Sequence, residues 1–369
     1  MTRTIIKLSL VGIIIIMTGT APLFAQRTPR DAKYVYTEAS SLNIIGKIMP
    51  TSNPYHRVDT SVYKGFTTRE NFQVRCSSGL AVVFRTNSSS IKIKASGDYS
   101  FQSDHTMRLA SHGYDLYISR DGKWIWAENV APSPTQPDAI MSLINNMDTT
   151  MKECLLYFPI YSSMDSIQIG VEEGSTLEAI ESPFRHRIAI YGSSYTHGIS
   201  TSRAGMSYPA QFTRRTGLQM LSLGCSGNCK MQPYFATVLE DVEADAYVFD
   251  TFSNPDGKMI RERLFPFIER MSKAHPGKPL IFQQTIPRER GNFDYRTEDR
   301  EYDRRHTADS LMRIAVKKYK DVYFIQTNAG DGSHEWAVDG IHPDDYGYYL
   351  WMRSIEKPLL RILRRYGIK

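Results

Sequence analysis

The sequence predicts an α/β protein in which an antiparallel β-sandwich precedes a parallel sheet covered by helices on both sides. Two changes of period and one set of strand ends carry that expectation. Between about residue 34 and residue 180 the chain alternates like strands, in "LAVVFRT", "SIKIKAS", "YDLYISRDGKWIWAE" and "DSIQIGV". These runs are short, rich in β-branched and aromatic residues, and bounded by Ser, Asn, Asp and Gly. From about residue 184, five apolar strands alternate with amphipathic stretches, the pattern of a parallel sheet. The third observation is that the polar residues of this second half gather just after its strands.

The first 25 residues stand apart. Arg3 and Lys7 precede the apolar run Leu8–Met17, and "APLFAQ" offers a cut after Ala25. A charged start, a short apolar stretch and small residues at the cut describe an export signal. The run is short for a membrane span, which needs about 20 apolar residues. The expected organisation is therefore a signal peptide over 1–25, a sandwich over 26–183 and an α/β unit over 184–369. The mature protein is expected to be periplasmic or secreted, with no stable membrane span after signal removal.

Within the first unit, Asp121-Gly122 marks a hairpin turn, and "PDAIMSLINNM" reads as a possible short helix. Trp124 and Trp126, two apart on one strand, share a face and read as sandwich core. The five strands of the second unit are "RIAIYG", "LQMLSLG", "AYVFDTF", "PLIFQQT" and "DVYFIQT". Between and after them lie "MSYPAQFTRRT", "MIRERLFPFIERMSKA", "YDRRHTADSLMRIAVKKY" and "DYGYYLWMRSIEKPLLRILRRY" as helices.

The net charge of +6 falls to +4 without Arg3 and Lys7. The basic residues are scattered apart from "RILRRYGIK", which reads as the solvated face of the last helix, so no nucleic-acid face is expected. The four cysteines, Cys76, Cys154, Cys225 and Cys229, are too few for a disulfide scaffold. A bridge between Cys225 and Cys229, or between Cys76 and Cys154, stays open. No metal pattern appears: "HEW" lacks the second histidine of a zinc-protease helix.

Open parallel sheets bind ligands at the carboxyl ends of their strands. Those ends carry Gly192-Ser193-Ser194-Tyr195-Thr196-His197-Gly198, then Gly224-Cys225-Ser226-Gly227-Asn228, then Ser253-Asn254, and finally Asp339-Gly340-Ile341-His342. A serine hydroxyl needs a base to take its proton, and the imidazole base needs an acceptor to fix its tautomer. Asp339 and His342 supply acceptor and base from one loop. The Gly227 N–H and the Asn254 amide suit an oxyanion.

These blocks resemble the SGNH (GDSL-type) hydrolase family over roughly residues 184–369. Gly192, Ser194 and Gly198 match its serine block, Gly227 its glycine block, Asn254 its asparagine block, and Asp339 with His342 its final block. The whole chain is also similar to two-domain bacterial members, several of which are carbohydrate O-acyl esterases. The resemblance implies a three-layer α/β/α fold and catalytic Ser194, His342 and Asp339, with Gly227 and Asn254 holding the oxyanion. It implies no cofactor. Ser193 stands where the family often has aspartate or threonine, and "FSNPD" is poorer in glycine than the usual third block, which makes Asn228 the substitute for Asn254.

Three rivals are weighed by spacing. Ser193 lacks the flanking glycines of Ser194 and reads as a turn or helix-cap hydroxyl. His197 shares a turn with Ser194 and reads as a loop-ordering or pocket-wall residue. His334 has neither an acid three residues before it nor a helix start after it. Trp336 and Trp351 read as packing for the last helix. An α/β-hydrolase is set aside because neither serine has a glycine two residues later, as a G-x-S-x-G elbow requires.

The expected function is an exported serine esterase removing short acyl groups, acetyl first, from acylated carbohydrate or another small ester. The alternatives are a lipid or thioester acylhydrolase on the same fold and an inactive carbohydrate-binding protein.

Overall fold

A computed structural model describes residues 33–369; the expected signal segment and cut site lie outside the described residues. Ten strands make the first half: β1 Tyr34–Glu38, β2 Asn43–Ile45, β3 Ala81–Thr86, β4 Ile91–Asp98, β5 Tyr114–Arg120, β6 Lys123–Val130, β7 Met141–Ile144, β8 Lys152–Tyr157, β9 Ser163–Glu172 and β10 Leu177–Ala179. They pair antiparallel as β1-β9-β4-β7 and as β10-β3-β8-β5-β6, with β2 also on β3. Two short helices, α1 Thr68–Arg75 and α2 Arg108–Ser111, lie in the connections. Alternating residues of the two sheets, including Val82, Phe84, Ile93, Leu116, Leu156 and Ile167, interdigitate as the sandwich core.

"PDAIMSLINNM" forms the strand β7 and not a helix. Met141 and Leu143 are buried while Ile140 is exposed, an alternation that pairs with β4 and overrides any helical period.

The second half holds five parallel strands: β11 Arg185–Gly192, β12 Leu218–Gly224, β13 Ala246–Asp250, β14 Leu280–Gln283 and β15 Val322–Ile325. Its helices are α3 Ser194–His197, α4 Tyr208–Thr216, α5 Pro233–Glu240, α6 Gly257–Ala274, α7 Tyr295–Lys318 and α8 Asp345–Arg364. Ile188 and Ile190 pack with residues of α4 and α8 on one face. Ala189 and Tyr191 pack with residues of α5, α6 and α7 on the other. Alternation within one strand thus feeds two cores, as a sheet covered on both faces requires. At the end of the last helix Arg361 and Arg364, with Arg365 just beyond it, are exposed, as the sequence suggests.

The strand order is β12-β11-β13-β14-β15. The chain leaves β11 to one side and returns on the other, so the topological switch falls at β11 and β13. Register places Gly192 opposite both Gly224 and Asp250. The loops after β11, β12 and β13 therefore start from one line across the sheet edge.

The β3-β8-β5 sheet is buried on its second face too. Ala81, Val83, Tyr117 and Leu155 pack against Phe184, Ile199, Ala204 and Ala210 of the second half. This corrects the reading of Trp124 and Trp126 as sandwich core. Trp124 packs on Phe184, and Trp126 is 44% exposed with its indole N–H on Asp115. All four cysteines are free and buried, so neither candidate disulfide forms.

Candidate active site

Strand β11 ends at Gly192, where a Cβ would come within 2.0 Å of Thr196 Oγ1. Only glycine lets the chain turn this tightly into α3. Ser193 caps that helix: its hydroxyl accepts from the Tyr195 N–H at 3.2 Å and donates to Asp250 at 2.8 Å. Ser194 is the first helical residue and is 4% exposed.

The histidine meant for it arrives from a loop that folds on itself. Asp339 Oδ1 accepts from the N–H groups of Ile341, at 2.9 Å, and His342, at 2.8 Å. The D-x-x-H spacing thus builds its own Asx turn. Val338 N–H donates to His342 O, and Asp344 N–H donates to Trp336 O, which closes the loop before α8 begins. Asp344 then caps α8 through the Gly347 N–H at 2.7 Å. Tyr195 O–H donates to Ile341 O at 3.0 Å, linking the serine helix to this loop.

The result is a continuous chain of contacts. Ser194 Oγ lies 3.1 Å from His342 Nε2, and His342 Nδ1 lies 2.9 Å from Asp339 Oδ2. Burial acts to raise the Asp339 carboxyl, but the His342 ring and the two backbone N–H groups outweigh it. The carboxyl is held well below its usual range. Asp339 is therefore anionic at neutral pH, placed to hold a proton on Nδ1 and leave Nε2 to accept one from serine.

Gly227 adopts a positive φ of 74° in the loop after β12, with nothing near the position of a Cβ. Asn254 Oδ1 accepts from Cys229 N–H at 3.1 Å, which fixes the amide by its oxygen and ties the third block to the second. Its amide nitrogen makes no hydrogen bond among the described residues. Asn228 is committed elsewhere: its amide donates to Gln73 Oε1 at 2.9 Å and to Ser226 O at 3.3 Å. It is a poor substitute for Asn254.

His197 turns away from Ser194. Its Nε2 bonds to Ile160 O at 2.7 Å, and its ring stacks on Tyr161 at 4.0 Å. Complete burial, with Arg57 nearby, holds its pKa well below the ordinary histidine value. This neutral ring fastens the serine helix to the first half of the chain. His334 is exposed on Glu289 at 2.7 Å. Trp336 and Trp351 are buried in the α8 core, and Trp351 stacks on Tyr208 at 5.0 Å.

Asp250 is the residue sequence reasoning missed. It ends β13, is fully buried, and accepts from Ser193 N–H at 3.1 Å, Ser193 Oγ at 2.8 Å, Thr196 Oγ1 at 2.9 Å and Ser253 Oγ at 3.1 Å. Burial pushes its carboxyl up to about 6. The signal was an aspartate closing an apolar strand in "YVFDTF". Also unforeseen is His105, from the first half of the chain. Its ring lies near-parallel to that of His342 at a centroid distance of 5.3 Å, with Nε2 4.0 Å from Asp339 Oδ2.

Comparison with known proteins fits this geometry. Residues 185–360 match the GDSL-like lipase/acylhydrolase family, and residues 33–177 match the GxDLY family, described as the N-terminus of SGNH-hydrolase-type esterases. The five letters of that second name fall on Gly113-Tyr114-Asp115-Leu116-Tyr117. Asp115 there is fully buried and accepts from Gly205 N–H at 2.8 Å, while Arg203 pairs with it at 2.9 Å. The motif thus clamps the first half onto the segment following the serine helix.

No curated protein matches the chain significantly. Among solved structures, a GDSL-like lipase from Bacteroides ovatus is 36% identical, with a TM-score of 0.86 over 90% of this chain and 98% of that one. The salicylyl-acyltransferase SsfX3 of a tetracycline biosynthetic pathway is 18% identical, with a TM-score of 0.71 over 91% and 99%. A family two carbohydrate esterase from Cellvibrio japonicus is 11% identical, with a TM-score of 0.58 over 90% and 99%. The last two share the fold.

Proposed function

The chain belongs to the GDSL-like lipase/acylhydrolase family and is a hydrolase acting on esters, and from that premise we propose that it is an exported serine esterase that removes short acyl groups, acetyl first, from carbohydrate. The observation that carries the mechanism is the Ser194–His342–Asp339 chain of 3.1 and 2.9 Å contacts. Ser194 Oγ attacks the ester carbonyl while His342 Nε2 takes its proton. Asp339 holds the ring and stabilises the imidazolium. The Ser194 and Gly227 N–H groups and the Asn254 amide nitrogen hold the oxyanion. His342 then returns the proton to the departing sugar oxygen, leaving an acyl-enzyme. Water, activated by the same imidazole, releases the acid and restores Ser194.

In this reading residues 184–369 are the hydrolase unit and residues 26–183 the sandwich unit clamped to it. Export rests on the character of residues 1–25; no helix among the described residues is long and apolar enough to cross a membrane. The carbohydrate assignment is supported by shared fold with a carbohydrate esterase and by the sequence resemblance.

The test is acetate release from a panel of acetylated polysaccharides, with Ser194→Ala as control. Release by the native chain and a loss of about four orders of magnitude or more in the variant are expected. Equal release from both refutes the mechanism. Cleavage of long-chain lipid esters or thioesters in preference to acetylated glycans replaces the substrate class. Failure of a fluorophosphonate probe to label Ser194 favours the inactive, carbohydrate-binding alternative.

A further inference from the structure

His105, Asp339 and His342 form the one group of three metal-ligating side chains among the described residues, with one ligand atom from each within 4.8 Å of the others. His105 comes from the connection before α2, so the group is assembled only when the two halves of the chain pack. Both imidazoles are held the same way. The far nitrogen of each meets a serine hydroxyl: His342 Nε2 at Ser194, 3.1 Å, and His105 Nδ1 at Ser200, 2.7 Å. The near nitrogens converge on Asp339 Oδ2, at 2.9 and 4.0 Å. A hydrogen-bonded far nitrogen is what metal-binding histidines carry, because it fixes ring orientation and tautomer.

Ser200 itself sits on a costly backbone. It is a non-glycine residue with a φ of 65°, and its N–H donates to Thr106 Oγ1 at 3.0 Å. A cavity of about 460 Å³, lined by His105, Thr106, Met107, Ser200, Val338 and Asp344 among others, opens on the His105 side of the group.

We propose that His105, Asp339 and His342 form an inhibitory site for zinc or a similar borderline transition-metal ion. Two imidazoles and one carboxylate with solvent positions left over suit zinc, and hard cations such as magnesium and calcium ask for more oxygen ligands. A modest rotation of His105, whose side chain is 29% exposed, brings its Nε2 from 4.0 Å towards the ligand spacing of tetrahedral zinc, about 3.3 Å for bonds near 2.0 Å. The buried free thiols are shielded from competing for the ion.

Inhibition follows from proton placement, and this part rests on the esterase reading above. Zinc takes the Nδ1 lone pair of neutral His342, so the ring's single proton moves to Nε2 by exchange with water. No proton is gained or lost overall. Nε2 then donates to Ser194 and can no longer accept its proton, and Asp339 is drawn onto the ion.

The test is calorimetric titration of the folded chain with zinc chloride, beside zinc inhibition of ester hydrolysis, in the native protein and in His105→Phe. Phenylalanine keeps the flat ring and removes the ligand. Expected results are one bound zinc per chain, inhibition reversed by EDTA, and a loss of affinity and of sensitivity of about tenfold or more in His105→Phe. Magnesium and calcium leave activity unchanged. Absence of binding to the native chain, or equal binding by His105→Phe, overturns the site. Binding without inhibition overturns the inhibitory role. If neither protein hydrolyses esters, the esterase reading fails and calorimetry still decides the site.

Discussion

Asp115, in the antiparallel half, and Asp339, in the parallel half, each pair with a nitrogen-bearing side chain, yet their surroundings send them in opposite directions. Asp115 is wholly buried against Arg203, Gly205 N–H and the Trp126 indole. Burial there prevails and raises its carboxyl despite Arg203. Asp339 is half-buried and surrounded by short-range donors from its own turn, which prevail over burial and lower it. The first pair is sealed between two packed units, where movement would expose a charge to apolar surroundings. The second lies at a loop edge, where protons and substrate can reach it. Depth, more than residue type, separates an ion pair that fastens from one that is poised to react.

Replacing each aspartate's function in turn should split these roles. Asp339→Asn preserves shape and removes the charge that fixes the His342 tautomer. It should lower kcat by about 10³- to 10⁴-fold with a clearly smaller fall in unfolding free energy, the part owed to the charged hydrogen bonds of its turn. Steady-state kinetics beside denaturant melts checks this. A loss of stability matching the loss of rate would mean that Asp339 fastens the loop as Asp115 fastens the interface.

Arg203→Met should do the reverse. It leaves Asp115 buried without its cation, a change that typically costs about 3–5 kcal/mol. The urea midpoint should fall clearly, while kcat per folded molecule stays within a few-fold of native. Should kcat collapse while the midpoint holds, the clamp would belong to the reacting machinery.

Much of the poised pair was legible in the sequence because its geometry is local. Asp339 and His342 sit in one Asx turn, so their spacing alone states that they meet. Ser194 was legible because Gly192 and Gly198 mark a tight turn at a strand end. The fastened pair was not, since Asp115 and Arg203 are joined only by packing between halves. Trp124 and Trp126 failed for a related reason. Alternation gives β6 two faces, but β6 is an edge strand whose Trp124 meets Phe184 of the second half and whose Trp126 is half exposed, and nothing local says which face meets the sandwich core. His105 carries no pattern near it and reaches His342 only through the fold.

Asn254 lies between these cases, on a strand-end loop and tied across to Cys229. Asn254→Ala should reduce kcat by about 10²- to 10³-fold with KM little changed, the mark of a donor used in the transition state. A rise in KM at constant kcat would instead make it a ground-state contact.

Asp250 combines both characters, since it is as buried as Asp115 yet sits under the serine turn. Its carboxyl is pushed up to about 6 from the ordinary 3.8. Below about pH 3 it is protonated in both folded and unfolded chains and the shift has no effect. As pH rises, the unfolded chain releases this proton first, so it binds fewer protons than the folded one and stability falls with pH. The loss is complete just above the folded value and amounts to at most about 3 kcal/mol. Asp250→Asn removes the titration, so the stability of the native chain relative to this variant should decline between about pH 4 and pH 6 and level off above. Urea melts across that range measure it. A flat difference would mean that the four donors around Asp250 offset its burial fully, making the serine turn a site where hydrogen bonding, as at Asp339, overcomes depth.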